Sequence, residues 1–237
     1  MVKIIGLGLS KTGTHTLSSI FSALGFRSNH FQPTTFNETA GLPSTAVKTL
    51  HLTDMEGWLP ILDPTEKFTF MNDLPMALFM HSAARYYPRA QFLLSVRDLY
   101  SWWESYKAHV ERSGVDYNNA ARQERHEVYR RFTYGSNYSS HPWVTQYAAM
   151  RHVTNVISMV HPTRLLEVNV VNCVDRELVH LELCNLARTV ADIAPEQCKH
   201  AHLGQPVQFD NGQHSVDDID ASLQRFKAKH AGAKTLL

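Results

Sequence analysis

The chain has 237 residues, 43% of them hydrophobic and 19% charged, and its formal net charge is +1. This length and composition predict one α/β domain over residues 1–237 and exclude an intrinsically disordered chain. The near-neutral charge argues against a protein specialised for nucleic acid or a heparin-like polymer, which would be more basic.

The N-terminal segment predicts a strand, a tight loop and a helix. Residues 2–7 (VKIIGL) form an apolar run rich in β-branched residues, which is typical of a buried strand. After the loop at 8–14, apolar residues recur at helical spacing and end before Gly25, where a helix C-terminal glycine belongs. The apolar positions are Leu17, Ile20, Phe21 and Leu24.

The loop at 8–14 (GLSKTGT) has the chemistry of a phosphate-binding site. The N-terminus of the predicted helix would present unpaired N–H groups and the positive end of its dipole to an anion. Lys11 adds a positive charge, and Gly13 lets the backbone approach a ligand closely. The predicted nucleotide ligands are Ser10, Lys11, Thr12, Gly13, Thr14, His15 and Thr16.

The order of residues in this loop distinguishes it from a Walker A loop, in which the lysine follows the second glycine. Here the lysine precedes the glycine, in Lys11-Thr12-Gly13-Thr14. This order resembles the loop with which sulfotransferases hold the 5′-phosphosulfate end of 3′-phosphoadenosine 5′-phosphosulfate (PAPS). The alternative interpretation is a glycine turn with a solvated lysine.

A second segment, at 91–105, extends the resemblance. A buried-strand run at 91–96 ends in Arg97, and Ser105 follows eight positions later on a predicted helix at 99–110. This pattern resembles the sulfotransferase site for the 3′-phosphate, which a guanidinium and a hydroxyl can hold. The alternatives are an ion pair of Arg97 with Asp98 or Glu104, and an ordinary surface role for Ser105.

The third segment is a strand and corner at 68–75 (FTFMNDLP). In cytosolic sulfotransferases the matching corner carries a histidine base, and Asp73 takes its place here. The corner is closer to a branch of small sulfotransferase-like proteins with an Asp-x-Pro corner, a YYP-R-A turn (86–90) and an RD…W-x-S segment (97–105). The resemblance implies that Asp73 is the base, whereas its position before Leu-Pro equally predicts a helix N-cap at a helix starting there.

The remaining chain predicts a P-loop-like, three-layer α/β fold with a central parallel sheet flanked by helices, because strands without alternation are separated by helices. Residues 163–170 form the last predicted strand, and 143–160 and 177–191 form helices. Residues 27–66, which are loop-rich, and 111–142, with a charged helix near 120–132, are predicted to cover the site. An amphipathic helix at 215–230 is predicted to pack on the body or on the partner subunit of a homodimer.

No metal site is predicted, because the histidines are scattered and the three cysteines lack metal-ligand spacing. No signal peptide or membrane span is visible, since the first strand starts at Val2, so we expect a cytoplasmic protein without a membrane partner.

The resemblance implies sulfuryl transfer from PAPS to a hydroxyl or amine of a small-molecule acceptor, with 3′,5′-ADP (PAP) as product and without metal. Lys11 would stabilise the leaving phosphate and Asp73 would accept the proton. Two alternatives remain. One is a P-loop kinase that holds Mg²⁺ through a hydroxyl and an acidic strand end. The other is a non-catalytic homologue that keeps the nucleotide site.

Overall fold

The computed structural model of the chain describes residues 2–30, 68–74, 76–115, 133–135, 142–173 and 175–200. Its strands are β1 (Ile4–Gly6), β2 (Ser28–His30), β3 (Phe70–Asn72), β4 (Gln91–Ser95) and β5 (Leu165–Val168). Its helices are α1 (Thr14–Ala23), α2 (Met80–Tyr86), α3 (Leu99–Val115), α4 (Pro142–Met159), α5 (Arg176–Val190) and α6 (Pro195–His200), with a 3₁₀ turn at Pro162–Arg164.

The strands form one parallel sheet in the order β2-β3-β1-β4-β5. Strand β1 lies at the centre, where Ile5 is in register with Met71 of β3 and Phe92 of β4. The chain runs from β1 toward β2 on one side of the sheet and from β4 to β5 on the other side. The loops after β1 and β4 therefore lead in opposite directions. The predicted P-loop-like α/β fold is confirmed, and this divergence is where such sheets bind ligands.

Helices cover both faces of the sheet, which explains why the strands are apolar without alternation. Ile4 packs on one face with Leu17 of α1 and Leu183 of α5. Ile5, the next residue, packs on the other face with Ala83 of α2 and Val156 of α4. The predicted strands at 2–7, 91–96 and 163–170 and the helices at 99–110, 143–160 and 177–191 are confirmed as β1, β4, β5, α3, α4 and α5.

Helix α1 ends as its sequence predicts. Gly25 has φ 86°, and its N–H donates to Ser22 O, while the Phe26 N–H donates to Phe21 O. These two bonds form a Schellman motif, and the rings of Phe21 and Phe26 meet edge to face at 5.4 Å. The end of α1 therefore fixes the turn into β2.

Two predictions about local structure are wrong. The helix predicted to start at Asp73 begins at Met80, and residues 74 and 76–79 lie in hydrogen-bonded turns instead. Residues 28–30, assigned to a loop-rich cover, form the edge strand β2. The rest of that cover (31–66), most of the cover at 111–142 and the predicted helix at 215–230 lie outside the described residues.

No helix among the described residues combines the length and apolar composition that a membrane crossing needs.

Candidate functional site

The predicted site residues converge at the carboxyl edge of the sheet. The loop at 7–13 follows β1, Asp73 follows β3, and Arg97 lies just after β4. His30 is the last residue of β2 and adds a side chain that the sequence analysis did not select. Hydrogen bonds link these segments directly, so they form one site rather than several.

Three carbonyl groups of the loop after β1 are hydrogen-bonded to side chains from other parts of the chain. His152 of α4 bonds Leu7 O through Nε2 at 2.7 Å, and Trp102 Nε1 of α3 donates to Ser10 O at 2.9 Å. Arg97 Nη1 donates to Lys11 O at 3.2 Å. Because these carbonyls are occupied by side-chain partners, the negative ends of their peptide dipoles are compensated around the loop.

Thr12 uses both of its donors inside the protein. Its N–H and its hydroxyl both donate to Leu9 O, at 3.2 and 2.6 Å. The hydroxyl also lies 2.6 Å from Ser95 Oγ at the end of β4. A Cβ on Gly8 would lie 1.9 Å from that same Ser95 Oγ, so Gly8 leaves the space for this contact. These contacts make Thr12 a residue that shapes the loop.

The loop delivers an uncapped helix N-terminus. Gly13 is the N-cap of α1 with φ 94°, no side chain caps it, and the first turn carries no acidic residue. Lys11 is half-buried and also has a positive φ, 74°, which is unusual for a residue with a side chain. A helix N-terminus without a cap or an acid, beside a lysine, fits the binding of a phosphate or sulfate group.

Asp73 is buried and accepts four hydrogen bonds. Its Oδ1 accepts from Ser10 Oγ at 2.6 Å and from the Leu74 N–H at 2.7 Å. Its Oδ2 accepts from Thr14 Oγ1 at 2.9 Å and lies 3.1 Å from His30 Nε2. Asp73 thereby joins the ends of β2 and β3 to both sides of the phosphate-binding loop.

The environment of Asp73 favours its carboxylate form. Burial alone would raise the pKa of Asp73, but the hydrogen bonds from His30 and Ser10 outweigh it, and the pKa lies below the usual value. The backbone of Asp73 has φ 67°, whereas an N-cap residue is extended and accepts from the second or third residue of its helix. The N-cap prediction for Asp73 is therefore wrong, because α2 begins only at Met80.

The His30 side chain contacts three residues of the site. Nε2 lies 3.1 Å from Asp73 Oδ2 and 3.2 Å from Thr14 Oγ1. The ring of His15, in the first turn of α1, meets the His30 ring edge to face at 5.4 Å. The His30 side chain is 29% exposed, so solvent or a ligand can reach it.

Asn72 is a further residue that the sequence analysis did not select. Its Nδ2 donates to Thr14 O at 2.7 Å and so fixes the first turn of α1 against β3. Its Oδ1 is buried without a hydrogen-bond partner among the described residues.

Arg97 forms the second charged part of the site. Its Nε donates to Ser101 Oγ at 3.1 Å while its Nη1 bonds Lys11 O, and Asn172 Nδ2 donates to Ser101 Oγ at 3.2 Å. Burial lowers the pKa of the Arg97 guanidinium and Asp98 counteracts this, but an arginine stays charged in either case. Asp98, one of the two carboxylates named as an alternative partner of Arg97, instead caps α3, since its Oδ1 accepts the N–H groups of Tyr100 and Ser101.

The structure places the remaining predicted ligands around this centre. Ser105 is half-buried on α3, one turn beyond Ser101, and its hydroxyl makes no hydrogen bond to another described residue. Ser101, in contact with Arg97, was not selected, although its spacing of four from both Arg97 and Ser105 could have indicated it. His15 is exposed and Thr16 half-exposed on α1.

Among the described residues, no group of three or more His, Cys, Asp or Glu side chains is placed to hold a metal ion.

The chain has recognisable similarity to known proteins. A family model described as a sulfotransferase domain matches residues 3–175, a range that includes the loop, Asp73, Arg97 and Ser105. The crystal structure of a sulfotransferase from Alicyclobacillus acidocaldarius is similar over 97% of this chain and 92% of that chain, with 15% sequence identity and a TM-score of 0.45. None of the curated proteins matches the chain.

Proposed function

The chain belongs to the sulfotransferase domain family, and from this membership we propose that it moves a sulfuryl group from PAPS to a hydroxyl or amine of a small-molecule acceptor. PAP would be released as the second product. The observation that carries the proposal is the loop after β1. Its carbonyls accept hydrogen bonds from side chains outside the loop, and the helix that follows has Gly13 as its N-cap and no side-chain cap.

This loop supports binding of the 5′-phosphosulfate. The uncapped N–H groups of α1 and the charge of Lys11 provide positive potential where the leaving phosphate gains negative charge during transfer. Because the loop carbonyls are held by Trp102, His152 and Arg97, the loop is organised before the ligand binds, which lowers the cost of reorganisation.

Arg97 supports binding of the 3′-phosphate. Its guanidinium is half-buried, hydrogen-bonded to Ser101 and positioned by Lys11 O, so it is fixed beside the loop. A planar, always-charged fork of this kind suits a phosphate dianion. We propose that Arg97 and Ser105 hold the 3′-phosphate and that Ser101, with Asn172, orients Arg97.

The resemblance implies Asp73 as the base, and we propose that its carboxylate belongs to the acid–base centre of the site. The carboxylate lies between Ser10 and Thr14 and remains ionised, so it can assist the removal of the acceptor's proton. Its lowered pKa and its four donors make it a weak proton acceptor by itself, so a partner must share this role.

The proposed partners and location follow from the same reasoning. The net charge of +1 favours a small acceptor over a nucleic acid or a sulfated polymer. A cytoplasmic location without membrane association and a homodimeric state remain predictions.

A second candidate, a P-loop kinase, is favoured by one contact. Thr14 Oγ1 bonds Asp73 Oδ2 at 2.9 Å, and a hydroxyl beside an acidic strand end is what a Mg²⁺-ATP site requires. A non-catalytic nucleotide-binding protein is the third candidate. Both predict ligand behaviour that differs from that of a sulfotransferase.

Calorimetry and a transfer screen separate these functions. We expect PAP to bind in EDTA more tightly than ATP binds with Mg²⁺, and Lys11→Met to weaken PAP binding. Lys3→Met is the matched control, because Lys3 precedes β1 at the amino edge of the sheet and the substitution removes the same charge.

The screen supplies PAPS labelled in its sulfur and a pool of small hydroxyl and amine compounds. Transfer of label that is lost in Lys11→Met but kept in Lys3→Met supports the proposal. A preference for Mg²⁺-ATP would favour the kinase, and PAP binding without transfer to any acceptor would favour the non-catalytic protein.

A further inference from the structure

We propose that His30, and not Asp73, receives the acceptor's proton during sulfuryl transfer, with Asp73 as the positioning residue that orients the His30 ring. This inference rests on the proposed function and names a catalytic residue for it. His30 comes from β2, the edge strand, and not from the corner after β3 at which the resemblance implied the base.

The hydrogen bonds around His30 determine which of its nitrogens is basic. Asp73 Oδ2 is an anionic acceptor 3.1 Å from Nε2, and the Thr14 hydroxyl donates to that same oxygen. With both neighbours of Nε2 acting as acceptors, the proton of a neutral His30 resides on Nε2. Nδ1 then carries the lone pair, and no other described residue lies within hydrogen-bond distance of it.

Asp73 is unsuited to receive the proton itself, since each of its oxygens already accepts two hydrogen bonds. Protonation would require one of these donors to give up its acceptor inside a buried site. An ionised Asp73 beside His30 instead stabilises the imidazolium that forms when Nδ1 takes a proton.

The position of His30 fits this role. Thr14, which bonds both Asp73 and His30, is the first residue of α1 and therefore lies where the phosphosulfate is proposed to bind. The side chain of His30 is 29% exposed, whereas Asp73 is 6% exposed, so of the two only the histidine is open to an acceptor.

The proposed step balances as follows. The acceptor oxygen or nitrogen attacks the sulfur of PAPS and forms a new bond to it. The bond between sulfur and the 5′-phosphate oxygen breaks, and its electron pair stays with the phosphate of PAP. The acceptor's proton moves to His30 Nδ1, which later releases it to water.

The test compares His30→Gln with His161→Gln as the matched control. His161 is exposed and precedes β5 at the amino edge, the opposite end of the sheet from His30. A general base contributes about 100- to 10,000-fold, so His30→Gln should lower kcat at least about 100-fold with PAP affinity nearly unchanged, while His161→Gln should keep wild-type kcat. Partial rescue of His30→Ala by added imidazole should follow, which a purely structural role would not give.

The pH profile of kcat provides a second readout. The titratable groups in contact with His30 among the described residues are Asp73, just after β3, and His15 from α1. Wild-type kcat should fall on acidification, because a protonated His30 cannot take the acceptor's proton. His30→Gln should lose this dependence, and His161→Gln should retain it.

A spectroscopic readout does not depend on turnover. The ¹⁵N shifts of neutral His30 should show the proton on Nε2, and a proton on Nδ1 would overturn the inference. Transfer by wild type with unchanged kcat in His30→Gln would overturn it while leaving the proposed function intact. Absence of transfer by wild type would instead overturn the proposed function, and this role with it.

Discussion

Replacing Thr12 by valine tests whether this residue shapes the loop or contacts the nucleotide. Valine keeps the shape of threonine but removes the hydroxyl, which bonds Leu9 O and Ser95 Oγ at 2.6 Å each. Thr12 and Ser95 are 7% and 2% exposed, so water cannot replace the lost partner. The cost of the substitution should therefore appear in the stability of the protein.

The expected magnitude follows from the two lost contacts. Each neutral hydrogen bond contributes about 1 kcal/mol, and a buried group left unpaired costs more, so Thr12→Val should lower the free energy of unfolding by about 2–3 kcal/mol. Ser95→Ala removes one of the contacts and should cost about 1 kcal/mol. The double variant should be about as unstable as Thr12→Val alone, because both substitutions remove the same contact.

The assay is urea unfolding followed by tryptophan fluorescence, together with PAP calorimetry on the folded variants. Trp102 and Trp103 are buried and report the loss of tertiary structure. Thr189→Val is the control, because its exposed hydroxyl bonds only Leu186 O within its own helix, and it should stay within about 0.5 kcal/mol of wild type. Wild-type stability in Thr12→Val together with PAP affinity reduced by about 10-fold (about 1.4 kcal/mol) would refute the reasoning and make Thr12 a direct ligand.

Three further predictions concern other parts of the site. Gly13→Ala should be less stable than Gly25→Ala by about 1–3 kcal/mol in urea unfolding. Both glycines have positive φ, but only at Gly13 would the new Cβ meet a neighbour, 2.2 Å from Val170 Cγ2. Equal losses of stability in the two variants would contradict this packing. Arg97→Lys should weaken PAP binding about 10-fold more than AMP binding in calorimetry, because lysine lacks the planar fork, and equal losses would place the 3′-phosphate elsewhere. Asp73→Asn should flatten the loss of stability on acidification below about pH 4. The pKa of Asp73 is lower in the folded protein than in the unfolded chain, so the stabilisation by its carboxylate is present above the unfolded pKa and is lost as pH falls. An unchanged acid transition in this variant would contradict the prediction.

The parts of the fold set by local sequence could be predicted. Residues 2–26 specify β1, the loop, α1 and its glycine terminus through apolar periodicity and the positions of glycine, all of which act within a few residues. The position of Arg97 followed from the strand before it, because the end of a buried strand lies at the ligand-binding edge of a parallel sheet.

Strand β2 and His30 could not be predicted in this way. Residues 28–30 (SNH) are polar throughout, and an edge strand with no fully buried residue shows neither alternation nor an apolar run. Its pairing with β3 is a long-range contact, with Ser28 opposite Phe70, and propensity carries no signal for it. The sequence therefore predicts a loop at the histidine that contacts Asp73 in the structure.

Asp73 shows how one backbone angle separates two interpretations of the same residues. The Asp-Leu-Pro sequence is a good helix start, and in that conformation the carboxylate would turn toward the following N–H groups. With φ at 67°, the chain turns away from a helix; Oδ1 still accepts the Leu74 N–H, but the other donors to the carboxylate are Ser10, Thr14 and His30. Such a conformation costs about 1 kcal/mol for a residue with a side chain, and aspartate tolerates it better than most residues. The bonds from Ser10, Thr14 and His30 offset that cost, so the strain is maintained by the same contacts that assemble the site.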